Sequence, residues 1–301
     1  MKIIHISKAV MLLGLSCILC CSLAIAQSSS GSSVAPGSSL PGLGAVGMIM
    51  DGPGYIEIGG SHSALTAGNP DWNDFYARGM LSGGRNIFTG ELTRESRFGD
   101  SGWFGDLGIT RTLSENWYAQ LSAGGSAGGF FLPKLRTDAH ISRKLLRRRQ
   151  LVASVGGGYD QSRTIAHDWR AQVEGAYYFN YPVVLQGGVL WTHATPGNIL
   201  ARTQYIAASQ GHDKEHFVSL RYEWGREGYE VIARFTSVSP VIGGHIAFTP
   251  PNVLFDFPVR TVTGTWRQWV GPNWGLNFNV EHHEETAYHR LGGTVGIFLD
   301  F

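Results

Sequence analysis

From residue 54 to its end this chain repeats one pattern. Segments of about ten residues alternate polar and apolar side chains, and turn residues separate them. A period of two puts successive side chains on opposite faces of a strand. In residues 168–179, Trp169, Ala171, Val173, Gly175, Tyr177 and Phe179 lie on one face, and Asp168, Arg170, Gln172 and Glu174 on the other. In 216–225, Val218, Leu220, Tyr222 and Trp224 oppose Ser219, Arg221 and Glu223. In 229–237, Val231, Ala233 and Phe235 oppose Glu230, Arg234 and Thr236. In 274–283, Trp274, Leu276, Phe278 and Val280 oppose Asn277, Asn279, Glu281 and His283.

Two architectures bury such strands: a soluble sandwich, or a barrel whose apolar outside meets lipid and whose inside is wet. The positions of the aromatic residues separate them. Trp117, Tyr159, Trp169, Phe179, Trp191, Trp224, Tyr229 and Trp274 sit at or near the ends of apolar faces, where a lipid–water interface favours amphipathic rings. On a polar face, Lys134, Arg136, Asp138, His140, Ser142 and Lys144 follow one another in alternation. Charge at that density needs water or partners.

The last fourteen residues, 288–301, bring Leu291, Gly293, Val295, Ile297, Leu299 and Phe301 onto one face. Arg290, Gly292, Thr294, Gly296, Phe298 and Asp300 share the other. In a soluble protein the same pattern would be a sandwich strand, while a final amphipathic strand ending in Phe resembles the closing strand and sorting signal of outer-membrane barrels. Tyr288, Val295, Ile297, Leu299 and Phe301 are its candidate insertion signal.

Short polar links are expected at 83–84, 113–116, 146–149, 180–182, 226–228 and 271–273. Longer ones are expected near 65–70, 98–102, 125–132, 160–167, 194–213, 238–257 and 283–287. They alternate as the two ends of a transmembrane barrel require. With 194–213 as one loop this gives about 14 strands. Pairing 199–208 and adding a strand within 238–257 gives 16, and merging short segments gives 12. The fold class is therefore all-β, a transmembrane antiparallel up-and-down barrel.

Residues 1–26 have the form of a cleaved signal peptide. Lys2 and Lys8 precede an apolar run over 9–23, and Ala24-Ile25-Ala26 fits small-x-small cleavage. Residues 27–53 form a Ser/Gly-rich linker, and the barrel domain is expected over 54–301. All 3 cysteines lie within the signal, which leaves no disulfide and no thiol nucleophile in the mature chain. A net charge of +1 gives no reason to expect nucleic acid.

The charged residues of the polar faces, Arg136, Asp138, His140, Arg170, Glu174, Arg221, Glu223, Glu230 and Arg234, are candidates to line the lumen. They could border a solute path, or pair across strands and fill it. His282 and His283, near Glu284, Glu285 and His289, suggest a metal site. Adjacent strand residues face opposite ways, however, so exposed loop residues are the expected reading. A Ser/His hydrolase pair would draw on His140, His193 or His216 beside Ser142 or Ser219, but no Gly-x-Ser-x-Gly elbow accompanies them. Gly156-Gly157-Gly158 opens no helix, so it is not a phosphate loop. Arg147-Arg148-Arg149 forms a solvated turn within reach of phosphate headgroups. No catalytic, cofactor or metal site is expected.

The chain resembles the YaiO family of outer-membrane β-barrels over roughly residues 55–301. Asn116-Trp117-Tyr118, Phe131-Leu132-Pro133, Gly264-Thr265-Trp266, Gly271-Pro272-Asn273-Trp274-Gly275-Leu276, and the closing Tyr288 with Gly296-Ile297-Phe298 carry the likeness. The resemblance implies an outer-membrane barrel of a Gram-negative envelope with a link to exopolysaccharide. From the residues and the resemblance together the expectation is a monomeric, porin-like narrow pore or exit port. A plugged structural or adhesive barrel is the alternative, and a barrel enzyme acting on lipid or glycan is a weaker one. Expected partners are outer-membrane lipid, lipopolysaccharide, the barrel-insertion machinery and polysaccharide.

Overall fold

A computed structural model of the chain describes residues 54–163, 166–195, 198–232, 252–286 and 288–301. They form fourteen antiparallel strands: β1 (Gly54–Leu65), β2 (Trp72–Gly83), β3 (Asn86–Arg97), β4 (Asp100–Thr112), β5 (Trp117–Gly128), β6 (Leu135–Leu145), β7 (Leu151–Gln161), β8 (His167–Tyr178), β9 (Val183–Thr195), β10 (Ile199–His212), β11 (His216–Ile232), β12 (Asn252–Gly271), β13 (Trp274–Glu285) and β14 (His289–Asp300). Each strand pairs with its sequence neighbours, and β1 pairs with β14 to close the barrel. Among the described residues there is no helix. The signal-peptide and linker stretches, residues 1–53, lie outside them, as do Arg234 and most of the 238–257 link.

Closure removes every sheet edge from the barrel wall, the condition for strands to cross hydrocarbon. Residues 55–65 of β1 pair with 300–290 of β14, and the rim is sealed by two bonds between Gly54 and Phe301 at 3.2 and 3.0 Å. Both described ends of the chain therefore sit at one rim, with the turns that follow β2, β4, β6, β8, β10 and β12. The rim with short turns is the periplasmic one.

The period-two reading sorts the two faces. Ile56, Ile58, Leu107 (73% exposed), Leu121, Val155, Val173, Ile206, Leu220, Val262 and Val280 form the lipid-facing band. Aromatic pairs border it: Tyr159 and Trp169 lie 4.7 Å apart toward the outer rim, and Tyr177 and Phe179 4.8 Å apart toward the inner. On β14 Leu291, Val295, Ile297 and Leu299 are exposed, whereas Arg290, Gly296, Phe298 and Asp300 are buried. Phe298, the one large apolar residue on the polar face, packs edge-on against Trp269 inside, 5.0 Å between rings.

Two expectations about individual strands need correction, and the errors cancel in the count. Residues 194–213 are not a loop but contain β10. The outward side of β10 carries Arg202, Gln204 and Gln210 among Leu200, Ile206 and Ala208, so its alternation is faint. Residues 226–228 are not a turn but the continuation of β11. Gly225 (φ +151°) marks close strand approach: a Cβ there would lie 2.2 Å from the carbonyl oxygen of Arg202. The 16-strand alternative thus fails although 199–208 is paired.

Two links are shorter than expected. The 98–102 link is a two-residue turn, Phe98 (φ 54°) and Gly99 (φ 74°), held by the pairing of Arg97 with Asp100. At 283–287, β13 runs on to Glu285, so His282 and His283 are strand residues rather than loop residues. Beyond its last pairs with β10 (Thr203 with Gly225) and β13 (Val259 with Glu285), the β11–β12 hairpin continues as a two-stranded ribbon above the outer rim. Residues 226–232 pair there with 258–252.

The face assignment makes a direct prediction. Val173 is half-exposed on the lipid side, while Gln172 faces inward. An arginine near the bilayer midplane costs about 2–4 kcal/mol. Val173→Arg is expected to lower the fraction of folded, heat-modifiable barrel sharply, and Gln172→Arg to leave it near wild type. Equal tolerance at both positions would refute the register.

Candidate functional site in the barrel interior

Among the described residues, four clusters of inward-facing side chains stand out. The first surrounds Glu57 of β1, only 1% exposed between Ile56 and Ile58 on the outer face. Its Oε1 accepts hydrogen bonds from Tyr76 Oη (2.8 Å), Arg78 (2.7 Å) and Asn277 Nδ2 (3.0 Å), and its Oε2 from Arg267 (3.4 Å). Arg267 comes from β12, past β13 and β14. Its guanidinium lies 3.6 Å over the Phe298 ring and 4.8 Å over that of Tyr55. Toward the periplasmic rim Asp300 accepts from Trp269 Nε1 (2.6 Å) and pairs with Lys214 (3.0 Å).

The second cluster lies toward the outer rim on β6–β8. Asp160 pairs with Arg136 (3.0 Å) and Arg170 (3.2 Å), and Arg170 also reaches Asp138 (2.9 Å). In the third, Tyr205 Oη donates to Glu174 (2.9 Å), and Arg221 stacks 3.6 Å over the Tyr205 ring while pairing with Glu223 (2.5 Å).

The fourth is an aromatic cluster at the outer mouth. Trp72, fully buried, meets Phe98 at 5.0 Å and Tyr288 at 5.6 Å, and Phe98 meets Phe130 and Phe131. Arg97 and Arg290 lie 5.4 and 5.2 Å from the Trp72 ring.

Of the residues singled out from sequence, Arg136, Asp138, His140, Arg170, Glu174, Arg221 and Glu223 face the interior, in the second and third clusters or beside them. Glu230 lies on the β11 ribbon opposite Leu254. Of the candidate insertion residues, Val295, Ile297, Leu299 and Phe301 face outward, but Tyr288 is buried inside against Trp72. His282 points outward and bonds Glu284 (3.1 Å), while His283 is buried and bonds Thr261 (2.9 Å). The two cannot share an ion.

The Ser/His candidates do not converge either. Ser142 bonds Ser154 (2.8 Å), and His193, on an outward position, bonds Asn198 (2.6 Å). Sequence reasoning missed Glu57, Tyr76, Arg78, Arg267 and Asp300. The available signal was Glu57 between two isoleucines, a charge on the inward parity.

The family model described as "YaiO membrane beta barrel domain" matches residues 53–230, more than half of the chain. The motifs at 264–266, 271–276 and 288–298 lie beyond the match. Among solved structures the chain is similar to the CymD monoaromatic hydrocarbon channel, at 7% identity and a TM-score of 0.55, over 84% of this chain and 89% of that one. It is also similar to a bacterial polysaccharide outer membrane secretin, at 9% identity, a TM-score of 0.49 and coverage of 84% and 99%. A third match is a loop-deletion mutant of OmpT, an outer membrane protein of Vibrio cholerae, at 7%, 0.46, and 82% and 98%. At such identities the likeness concerns the fold alone. No curated protein sequence matches the chain.

Proposed function

The chain belongs to the YaiO family of outer-membrane β-barrels, and from that premise we propose that it is a narrow, charge-lined pore acting passively, without catalysis or cofactor. Its cargo class on this reading is an envelope saccharide or exopolysaccharide strand. Fourteen strands lie between filled eight-stranded barrels and the open channels of about 16–18 strands.

One observation carries the reading: inward side chains pack directly over glycines of the wall. A Cβ at Gly156 would fall 2.2 Å from His140 Nδ1, and one at Gly158 2.4 Å from Asp138 Oδ1. At Gly188 it would fall 2.7 Å from the Tyr205 ring, and at Gly296 2.5 Å from Tyr76 Oη. Side chains seated this way coat the wall instead of crossing the lumen. Part of the interior between β5 and β10 stays half-exposed, at Gln120, Ser122, Gln172 and Gln186, beside the buried β6–β8 cluster. Hydroxyls, amides and paired charges suit a hydrated polar solute. Assembly by the insertion machinery, with the closing strand as its recognition element, belongs to the same proposal.

Conductance in planar bilayers tests it. The purified barrel is expected to give small, steady channels, and Arg221→Ala, which removes the guanidinium over Tyr205, is expected to enlarge them and favour cations. A folded barrel without conductance would leave the plugged, structural reading. Turnover of labelled lipid or glycan would overturn the non-catalytic one.

A further inference from the structure

The lipid-facing side carries arginines that the pore does not use. Arg94, Arg202 and Arg260 are exposed and lie on outward positions near the outer rim. Each stands directly across a strand pair from an outward tryptophan: Arg94 from Trp103, Arg202 from Trp191, and Arg260 from Trp224. Two of these pairs adjoin. Only β11, bearing Trp224, separates Arg202 on β10 from Arg260 on β12, and Trp224 is aligned with Gln204, two residues from Arg202. Strand spacing puts the two arginine backbones roughly 10–12 Å apart.

We propose that this β9–β12 patch binds the two phosphates of a bisphosphorylated glycolipid of the outer leaflet, of the lipid A type. An arginine in hydrocarbon is costly but tolerated near the interface, where its head reaches the headgroups. The guanidinium fork matches a phosphate with two parallel hydrogen bonds, and indole rings anchor at the same depth. The charge balance at this rim is favourable. Among the described residues, Arg202 and Arg260 face one outward carboxylate, Glu284, which lies opposite Arg260 and is bonded to His282. At the periplasmic rim a similar pair, Arg143 with its guanidinium 5.1 Å over Trp117, meets the other leaflet and serves as the control.

Native mass spectrometry of the purified barrel from mild detergent, with added lipids, decides it. Wild type is expected to retain one bisphosphorylated lipid A. The double variant Arg202→Gln/Arg260→Gln is expected to retain roughly tenfold less or lower, from the loss of charge-assisted hydrogen bonds. Arg202→Lys/Arg260→Lys keeps most of the binding, and Arg143→Gln leaves it unchanged. Equal retention by the glutamine variant would overturn the proposal. So would equal retention, by the wild type, of dephosphorylated lipid A or phosphatidylglycerol. These lipid comparisons need no variant and hold even where a variant fails to fold.

Discussion

Removal of residues 288–301 is expected to abolish the barrel both in cells and on refolding into detergent. Those residues include β14, whose positions 290–300 pair with β1 and whose positions 289–299 pair with β13. Without it two strand edges face hydrocarbon, and each unsatisfied backbone group there costs several kcal/mol. A row of such groups exceeds the roughly 5–15 kcal/mol that holds a typical domain folded. Deleting Phe301 alone is a far smaller loss: a half-exposed ring and the two backbone bonds to Gly54, each worth about 0.5–1.5 kcal/mol. That truncation is expected to refold in detergent while inserting poorly in cells, on the proposal that the insertion machinery recognises the terminal aromatic. Heat-modifiable migration on gels reads both variants. A fourteen-residue truncation that still refolds to a heat-modifiable form would refute β14 as the closing strand.

Glu57→Ala is expected to cause the largest loss of stability from a single side chain. The carboxylate holds Arg78 and Arg267 from two directions and accepts from Tyr76 and Asn277. Removing one partner of a buried ion pair leaves the other charge uncompensated and typically costs about 3–5 kcal/mol. Glu57→Gln keeps the shape and part of the hydrogen bonding, so its loss should be intermediate. Urea unfolding of the barrel in detergent micelles measures both. A loss below about 1 kcal/mol for Glu57→Ala would mean that water screens the cluster as at an open surface. The periplasmic half of the lumen would then be wider than its side-chain packing indicates.

The two predictions differ in how far the sequence alone supports them. The closing strand was legible because its evidence is local: parity assigns Leu291, Val295, Ile297 and Leu299 to one face before any partner is known. The same parity identified Arg136, Asp138, His140, Arg170, Glu174, Arg221 and Glu223 as inward-facing. It failed where glycine has two meanings. Residues 226–228, ending in Gly228 and following Gly225, looked like a turn, yet they continue β11, and Gly225 is pressed against Arg202 and Thr203 of β10. It also failed where the outward face is not apolar, as on β10 with Arg202 and Gln204.

What the sequence by itself determined, then, is that strands alternate between lipid and an inner space, and which residues face which. That follows from backbone geometry, since a period of two needs no knowledge of neighbours. Only the tertiary structure decided who meets whom inside. Arg267 reaches Glu57 across 210 residues, and Asp300 meets Lys214 across 86. Those meetings depend on strand count, register and closure, because a barrel brings its first and last strands together only when the whole sheet curls shut.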